Sequence, residues 1–150
     1  ARHVGSHFDH VLVDEYQDTN RLQAEILHAL RPDGAGLTVV GDDAQSIYSF
    51  RAATVDNILD FPGQFAPAAR VVALEQNYRS TQPILDASNA VIGEGTRQYR
   101  KELRATRPGG TPPRLVTVED DRAQADYVVE RVLAAREAGV PLRRQAVLFR

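Results

Sequence analysis

The sequence predicts an α/β fold, a parallel sheet with flanking helices, from three observations. Short apolar runs rich in β-branched residues recur along the chain, amphipathic helical segments separate them, and polar or acidic residues follow directly on several of the runs. Strands of a parallel sheet are covered on both faces and therefore read as unbroken apolar stretches. The crevice beyond their carboxyl ends is where such sheets bind ligands.

Val11, Leu12 and Val13 form the first run, read as a buried strand, and Asp14 and Glu15 stand at its end. Adjacent carboxylates in that place can divide their work: one holds a hard cation such as Mg²⁺, and the other polarises or deprotonates a water. Thr19 or Asn20 caps a helix whose apolar positions are Leu22, Ile26, Ala29 and Leu30, and Pro32 with Asp33-Gly34 stops it. Residues 37–40 read as the next buried strand. The loop after it, 41–51, runs Gly-Asp-Asp-Ala-Gln-Ser-Ile-Tyr-Ser-Phe-Arg. Gln45 supplies an amide able to bond both a water and a phosphate oxygen. Tyr48 and Phe50 beside Arg51 suit stacking on unpaired bases, at ~1–3 kcal/mol for each base; the two rings also suit the core of a short strand or turn.

Residues 54–61 read as a short helix closed by Pro62-Gly63, and 70–74 as a third strand with Val71 and Val72 at its centre. It leads into Glu75, Gln76, Asn77, Tyr78, Arg79 and Ser80. Tyr78 can stack on a nucleobase, and Arg79 can meet a terminal phosphate with a bidentate fork or pair with Glu75 at the surface. A helix over 81–92 has Pro83 in its first turn and ends at Gly93 and Gly95. The basic run Arg97, Arg100, Lys101, Arg104 and Arg107 reads as a solvated loop or helix face. After Pro112-Pro113 come a strand, 114–118, and a helix with Asp121 and Gln124 as a capping box. Its stripe is Ala125, Val128, Val129, Val132 and Leu133. Gly139 and Pro141 stop it, and a final strand covers 145–150.

Composition sets the bounds. With 150 residues there is room for one domain with a proper core, but not for two complete nucleotide-binding lobes. A net charge of -2, with 25% charged and 43% hydrophobic residues, describes an ordinary globular chain, so any nucleic-acid site must be local. No apolar run approaches the ~20 residues that span a bilayer, and no signal peptide opens the chain; a cytoplasmic location is the expectation. The absence of Cys excludes disulfides and thiolate metal sites, and His3, His7, His10 and His28 read as surface or packing residues. Lys101 is the only lysine, and no Gly-x-x-x-x-Gly-Lys-Ser/Thr phosphate loop surrounds it. The sequence has no Met, begins at Ala1 and stops within the apolar run 146–149, and is read as a fragment of a longer protein.

Three stretches together carry a resemblance. Asp-Glu-Tyr-Gln-Asp-Thr-Asn at 14–20, the loop 41–51, and Gln-Asn-Tyr-Arg-Ser at 76–80 resemble motifs II, III and IV of the UvrD/Rep/PcrA group of superfamily 1 DNA helicases, in order and in spacing. The likeness is strong over 8–92 and rests on pattern alone over 93–150. It implies a RecA-like fold, with the C-terminal part of one motor lobe at 1–77 and the beginning of a second at 78–150. It also implies an ATP-dependent helicase that moves 3′ to 5′ on single-stranded DNA and unwinds duplex at junctions, using Mg²⁺ and ATP. Residue by residue, the resemblance implies that Asp14 holds Mg²⁺ and Glu15 activates the attacking water. Gln45 would sense the γ-phosphate, Tyr78 stack on adenine and Arg79 reach the γ-phosphate, with Tyr48, Phe50 and Arg51 on DNA. One position departs from the pattern: Ala52 stands where the family usually has Gly. Without a phosphate loop the fragment itself is expected to be inactive. Two other readings are a phosphoacceptor receiver domain, which needs a lysine just past a late strand, and a non-enzymatic single-strand-binding or regulatory module.

Overall fold

The computed structural model describes residues 2–149. The chain divides into two compact units, Ala1–Pro112 and Pro113–Arg150.

In the first unit, strand β1 (Val11–Val13) pairs in parallel with β2 (Leu37–Val39), Val11 opposite Leu37 and Val13 opposite Val39. The backbone ladder continues past the strands, Val40 N donating to Val13 O at 2.8 Å and Tyr16 N to Val40 O at 2.9 Å. A short helix α1 (Arg2–Gly5) precedes β1, and α2 (Arg21–Leu30) joins the two strands. Asn20 caps α2 as a full capping box: its side chain accepts from Gln23 N at 3.0 Å, and the Gln23 side chain accepts from Asn20 N at 2.9 Å. Helix α3 (Asp56–Asp60) runs into a tight turn, Phe61–Gln64. Tyr16, Ile58 and Phe61 are the buried centre, with Val13, Leu27, Leu37, Val39 and Phe65 packed on it. Tyr16 meets Phe61 edge to face at 5.3 Å, and Phe61 meets Phe65 at 5.1 Å; such pairs are worth ~0.5–1.5 kcal/mol beyond area burial.

β1 is not buried on both faces as its apolar run predicts. Val13 faces the core, whereas Leu12, on the alternate side, is 77% exposed. A sheet of two strands has one covered face.

The third strand is displaced. Residues 70–74 form no strand, and Val71, Val72 and Leu74 are exposed, because no described residue offers that segment a backbone ladder. The strand is instead β3 (Gln76–Thr81), which pairs in parallel with β4 (Arg104–Arg107). Helix α4 (Gln82–Gly93) makes the crossover that a parallel pair requires. Two side-chain amides seat β4 on it: Asn89 exchanges hydrogen bonds with the Leu103 backbone at 3.0 and 3.1 Å, and Gln82 accepts from Ala105 N at 2.9 Å. The partner strand therefore comes from within the basic run and not from 114–118.

In the second unit, α5 (Asp121–Glu137) is capped by Asp120, one residue ahead of the predicted cap, its side chain accepting from Ala123 N at 2.7 Å. Gly139, at φ 93°, ends the helix. The Gln145 amide donates to Val140 O at 3.0 Å and to Val132 O at 3.3 Å, closing the chain back on the helix. No described residue of this unit is buried, and Val129 and Leu133 of the predicted stripe are about half exposed. Neither 114–118 nor 145–149 forms a strand, and Arg150 of the second segment lies outside the described residues. Among the described residues no helix is long and apolar enough to cross a membrane.

Candidate nucleotide and nucleic-acid site

Beyond β1 the chain turns sharply. Glu15 adopts φ 50°, ψ 42°, and Asp14 Oδ1 accepts from its backbone N–H at 2.9 Å. The left-handed conformation costs a side-chain-bearing residue ~1–2 kcal/mol, so it persists only where the surroundings dictate it. Here the next two residues, Tyr16 and Gln17, are each 1% exposed and fix the turn from inside. Gln17 is the hub: its amide donates to Glu15 Oε2 at 2.8 Å, and its carbonyl oxygen accepts from Asp42 N at 3.0 Å. Gly41 makes that approach possible, since a Cβ there would stand 2.5 Å from Gln17 Oε1 and 2.7 Å from Ile58 Cδ1. Asp42 then caps the turn Asp43–Gln45, accepting from Ala44 N at 3.1 Å and from the Gln45 amide at 2.8 Å. Glu15, Gln17, Asp42 and Gln45 thus form one continuous hydrogen-bonded chain across the ends of β1 and β2.

Asp14 is exposed beside this chain, and its Oδ1 is occupied by the Glu15 amide. No group of three or more His, Cys, Asp or Glu among the described residues is arranged to hold a metal. Mg²⁺ in a nucleotide site keeps several waters and takes one or two carboxylates plus phosphate oxygens. Asp14 is a hard oxygen donor of this kind. Asp42 and Asp43 are already engaged.

Their partner is Lys101, the one member of the basic run that is not exposed; Arg97, Arg100, Arg104 and Arg107 are exposed, as a solvated run predicts. The Lys101 side chain is 15% exposed; it bonds to Asp42 and, at 2.7 Å, to Asp43. Burial alone would lower the pKa of the ammonium, but the bonds and charges of Asp42 and Asp43 outweigh it and hold the pKa above the usual lysine value. Burial likewise opposes ionisation of Asp42, and the Gln45, Lys101 and Ala44 contacts overcome it, holding its carboxyl below the usual range. Two exposed arginines of the run also meet acids: Arg97 pairs with Asp56 and, at 2.6 Å, with Asp60, and Arg104 pairs with Glu102 at 3.1 Å. A lysine therefore does reach acids at a strand end, although no strand precedes it as a receiver domain requires.

The loop beyond Gln45 carries the aromatic pair at the surface rather than in the core. Tyr48 is 37% and Phe50 75% exposed, with ring centroids 5.7 Å apart. The Arg51 guanidinium lies 5.5 Å from both centroids, a cation–π arrangement that stiffens the group. Ala52, at φ 60°, closes the turn Ser49–Arg51.

Tyr78 and Arg79 lie within β3, not past the end of a strand. Pairing with β4 slips between Asn77, opposite Ala105, and Thr81, opposite Arg107, so both residues fall in a bulge. Bulges re-aim side chains and recur beside active sites. The Asn77 side chain holds this one, accepting from Arg79 N at 2.9 Å and Ser80 N at 2.8 Å, and Arg107 donates to Arg79 O at 2.8 Å. Tyr78 is 70% exposed, its hydroxyl on Gln76 Oε1 at 2.9 Å. The guanidinium of Arg79 makes no ion pair among the described residues, so the predicted surface pair with Glu75 does not form; Glu75 instead accepts from Glu102 N at 3.0 Å.

Comparison with known families now places this geometry. Residues 1–66 match the UvrD/REP helicase N-terminal domain, and residues 72–150 match the UvrD-like helicase C-terminal domain. The chain belongs to the UvrD-like helicase family. Its mixed helices and small parallel sheets agree with the RecA-like helicase fold. The chain is 38% identical over 143 residues to the ATP-dependent DNA helicase PcrA of Staphylococcus epidermidis, covering 95% of this chain and 20% of that protein. It is 39% identical over 149 residues to DNA helicase II of Escherichia coli K12, covering 99% of this chain and 21% of that protein. The chain thus spans about a fifth of the length of the curated relatives it matches.

Within this UvrD-like chain three supporting residues escape a reading by motif chemistry: Gln17, Asn77 and Lys101. Gln17 and Asn77 are neutral amides that bring no reactive group, and their role shows only in the backbone they hold. Lys101 left one trace in the sequence, as the single lysine among arginines.

Proposed function

We propose that this chain is part of an ATP-dependent DNA helicase that couples ATP hydrolysis to 3′ to 5′ movement on single-stranded DNA and to duplex unwinding. Residues 1–77 would contribute the C-terminal part of the first motor lobe and 78–150 the beginning of the second. The observation that carries this reading is the hydrogen-bonded chain Glu15–Gln17–Asp42–Gln45, because it links the carboxylate that would activate water to the amide that would feel a phosphate. Asp14 would hold the Mg²⁺ of the nucleotide, which supplies charge neutralisation on the phosphates. Tyr78 would stack on the adenine, and Arg79, free of any ion pair among the described residues, would reach the γ-phosphate. Tyr48, Phe50 and Arg51 form an exposed platform suited to stacking on single-stranded DNA with a phosphate contact. Gln45 and Tyr48 are three positions apart on one loop, so a shift of the amide on hydrolysis would pass to the platform without a long relay. The working location would be the cytoplasm.

The test is the steady-state ATPase rate of the complete protein that contains this chain, with and without single-stranded DNA, for wild type and Glu15→Gln. DNA-stimulated hydrolysis in the wild type, reduced by ~100-fold or more in the variant, is the expected result, since removing a general base costs ~10²–10⁴ in rate. The isolated 150 residues, which carry no phosphate loop, are expected to give no turnover. If neither full-length protein hydrolyses ATP while both bind single strands through Tyr48, a non-enzymatic binding module is the correct description.

A further inference from the structure

Lys101 is held in a way that the roles above do not use. Its ammonium sits on the carboxylates of Asp42 and Asp43, 59 and 58 residues earlier in the chain. Each carboxylate has a further partner of its own: Asp42 Oδ2 receives the Gln45 amide at 2.8 Å, and Asp43 Oδ2 receives the Tyr99 backbone N–H at 3.2 Å. The side chain of Asp43 is 4% exposed, so this is no rim contact. On its other side the Lys101 segment is bound to the strand pair, with Glu102 N donating to Glu75 Oε1 at 3.0 Å, Arg104 N donating to Glu75 O at 2.8 Å, and β4 then lying against β3. One network leads from Lys101 to Gln45, and the other leads to Arg79.

Two adjacent carboxylates near a polyphosphate repel it and repel each other unless a cation is placed on them. An amide that must meet one oxygen is useful only when aimed, and misplacement of about 1 Å costs ~10²-fold in rate. We propose that Lys101 is a positioning residue of the nucleotide site: by clamping Asp42 and Asp43 it aims the Gln45 amide, and it fastens the Gln45 loop to the strand that carries Arg79. The inference rests on the function proposed above.

The experiment measures ATPase kcat and KM in the complete protein, with single-stranded DNA present, for wild type, Glu15→Gln, Lys101→Met and Lys101→Arg. The melting temperature and nucleotide-free single-strand affinity of each are measured alongside. Lys101→Met is expected to lower kcat about tenfold while the KM for ATP stays within about twofold and single-strand affinity is unchanged, the signature of a lost transition-state alignment. An unchanged kcat overturns the inference, as does a fall in kcat matched by falls in melting temperature and DNA affinity, which marks a merely structural pair. Should Lys101→Met fail to fold, Lys101→Arg carries the test, because it keeps the charge and changes the hydrogen-bond geometry: reduced kcat at an unchanged melting temperature supports aiming, and wild-type kcat overturns it. A wild type that hydrolyses ATP, with an inactive Glu15→Gln and an unaffected Lys101→Met, removes only this inference. A wild type without ATPase activity removes the proposed function, and this inference with it.

Discussion

The two parallel strand pairs of the first unit present their chemistry in opposite ways. At β1–β2 the register is regular, and the functional groups come from loops past the strand ends, positioned by Gln17, which is 1% exposed. At β3–β4 the register slips, and Tyr78 and Arg79 come from inside the strand, on a bulge held by the side chain of Asn77. The first site is fixed by burial and the second by local hydrogen bonds to backbone. Burial makes a support expensive to remove and its loss widespread; a local bond makes it cheap to remove and its loss confined.

The largest effect should therefore come from Gln17→Leu, which keeps the bulk and deletes both polar contacts. The part-buried Asp42 N–H loses its partner at ~1–3 kcal/mol, while the exposed Glu15 carboxylate turns to water, so the loss should be about 2–3 kcal/mol. A urea midpoint that falls with an unchanged slope is the expected result. Hydrogen exchange should quicken at the Asp42 amide and stay as in wild type at Arg79 and Ser80. Uniform quickening would mean that the two sites are not independently supported. Asn77→Ala is the reciprocal change. Its two lost bonds lie on a half-exposed bulge, so about 1–2 kcal/mol is expected, with faster exchange at Arg79 and Ser80 and none at Asp42.

The same contrast explains what could be read from the sequence. β1, β2, α2 and α4 form where periodicity and caps place them, and Asp14 and Glu15 stand past the end of β1 as an apolar run followed by acids predicts. Residues 70–74 have as good an apolar pattern as β1 yet form no strand, because a pattern names a candidate while only a partner makes a ladder. The partner that does make a ladder, β4, pairs with β3 instead and hides in Arg-Ala-Thr-Arg, which reads as charge rather than strand. Lys101 departs from the solvated face of its neighbours for a related reason: the fold brings Asp42 and Asp43 up to it, while Arg97 stays exposed in its pairs with Asp56 and Asp60. Long-range pairing is the physical content that no local window holds.

The smallest expected effect sharpens the comparison most, because it concerns strain rather than contacts. Among the described residues two other than glycine have positive φ, Glu15 at 50° and Ala52 at 60°. At Glu15 the strained residue carries a carboxylate bonded to the Gln17 amide, and a glycine there would delete it. Ala52 is exposed and brings only a methyl group. Its backbone closes the turn beneath Arg51, with Ala52 N donating to Ser49 O at 3.0 Å, while its buried neighbour Ala53 bridges to Asn20 at the start of α2. Ala52→Gly should relieve ~1–2 kcal/mol of left-handed strain and give back ~0.5–1 kcal/mol in unfolded-chain entropy, a net gain of about 0.5–1 kcal/mol. A slightly higher urea midpoint with the slope unchanged is the expected result. A lower midpoint would show that the methyl group stiffens the turn more than its conformation costs, and that Ala52, like Glu15, is held in strain for what its side chain does.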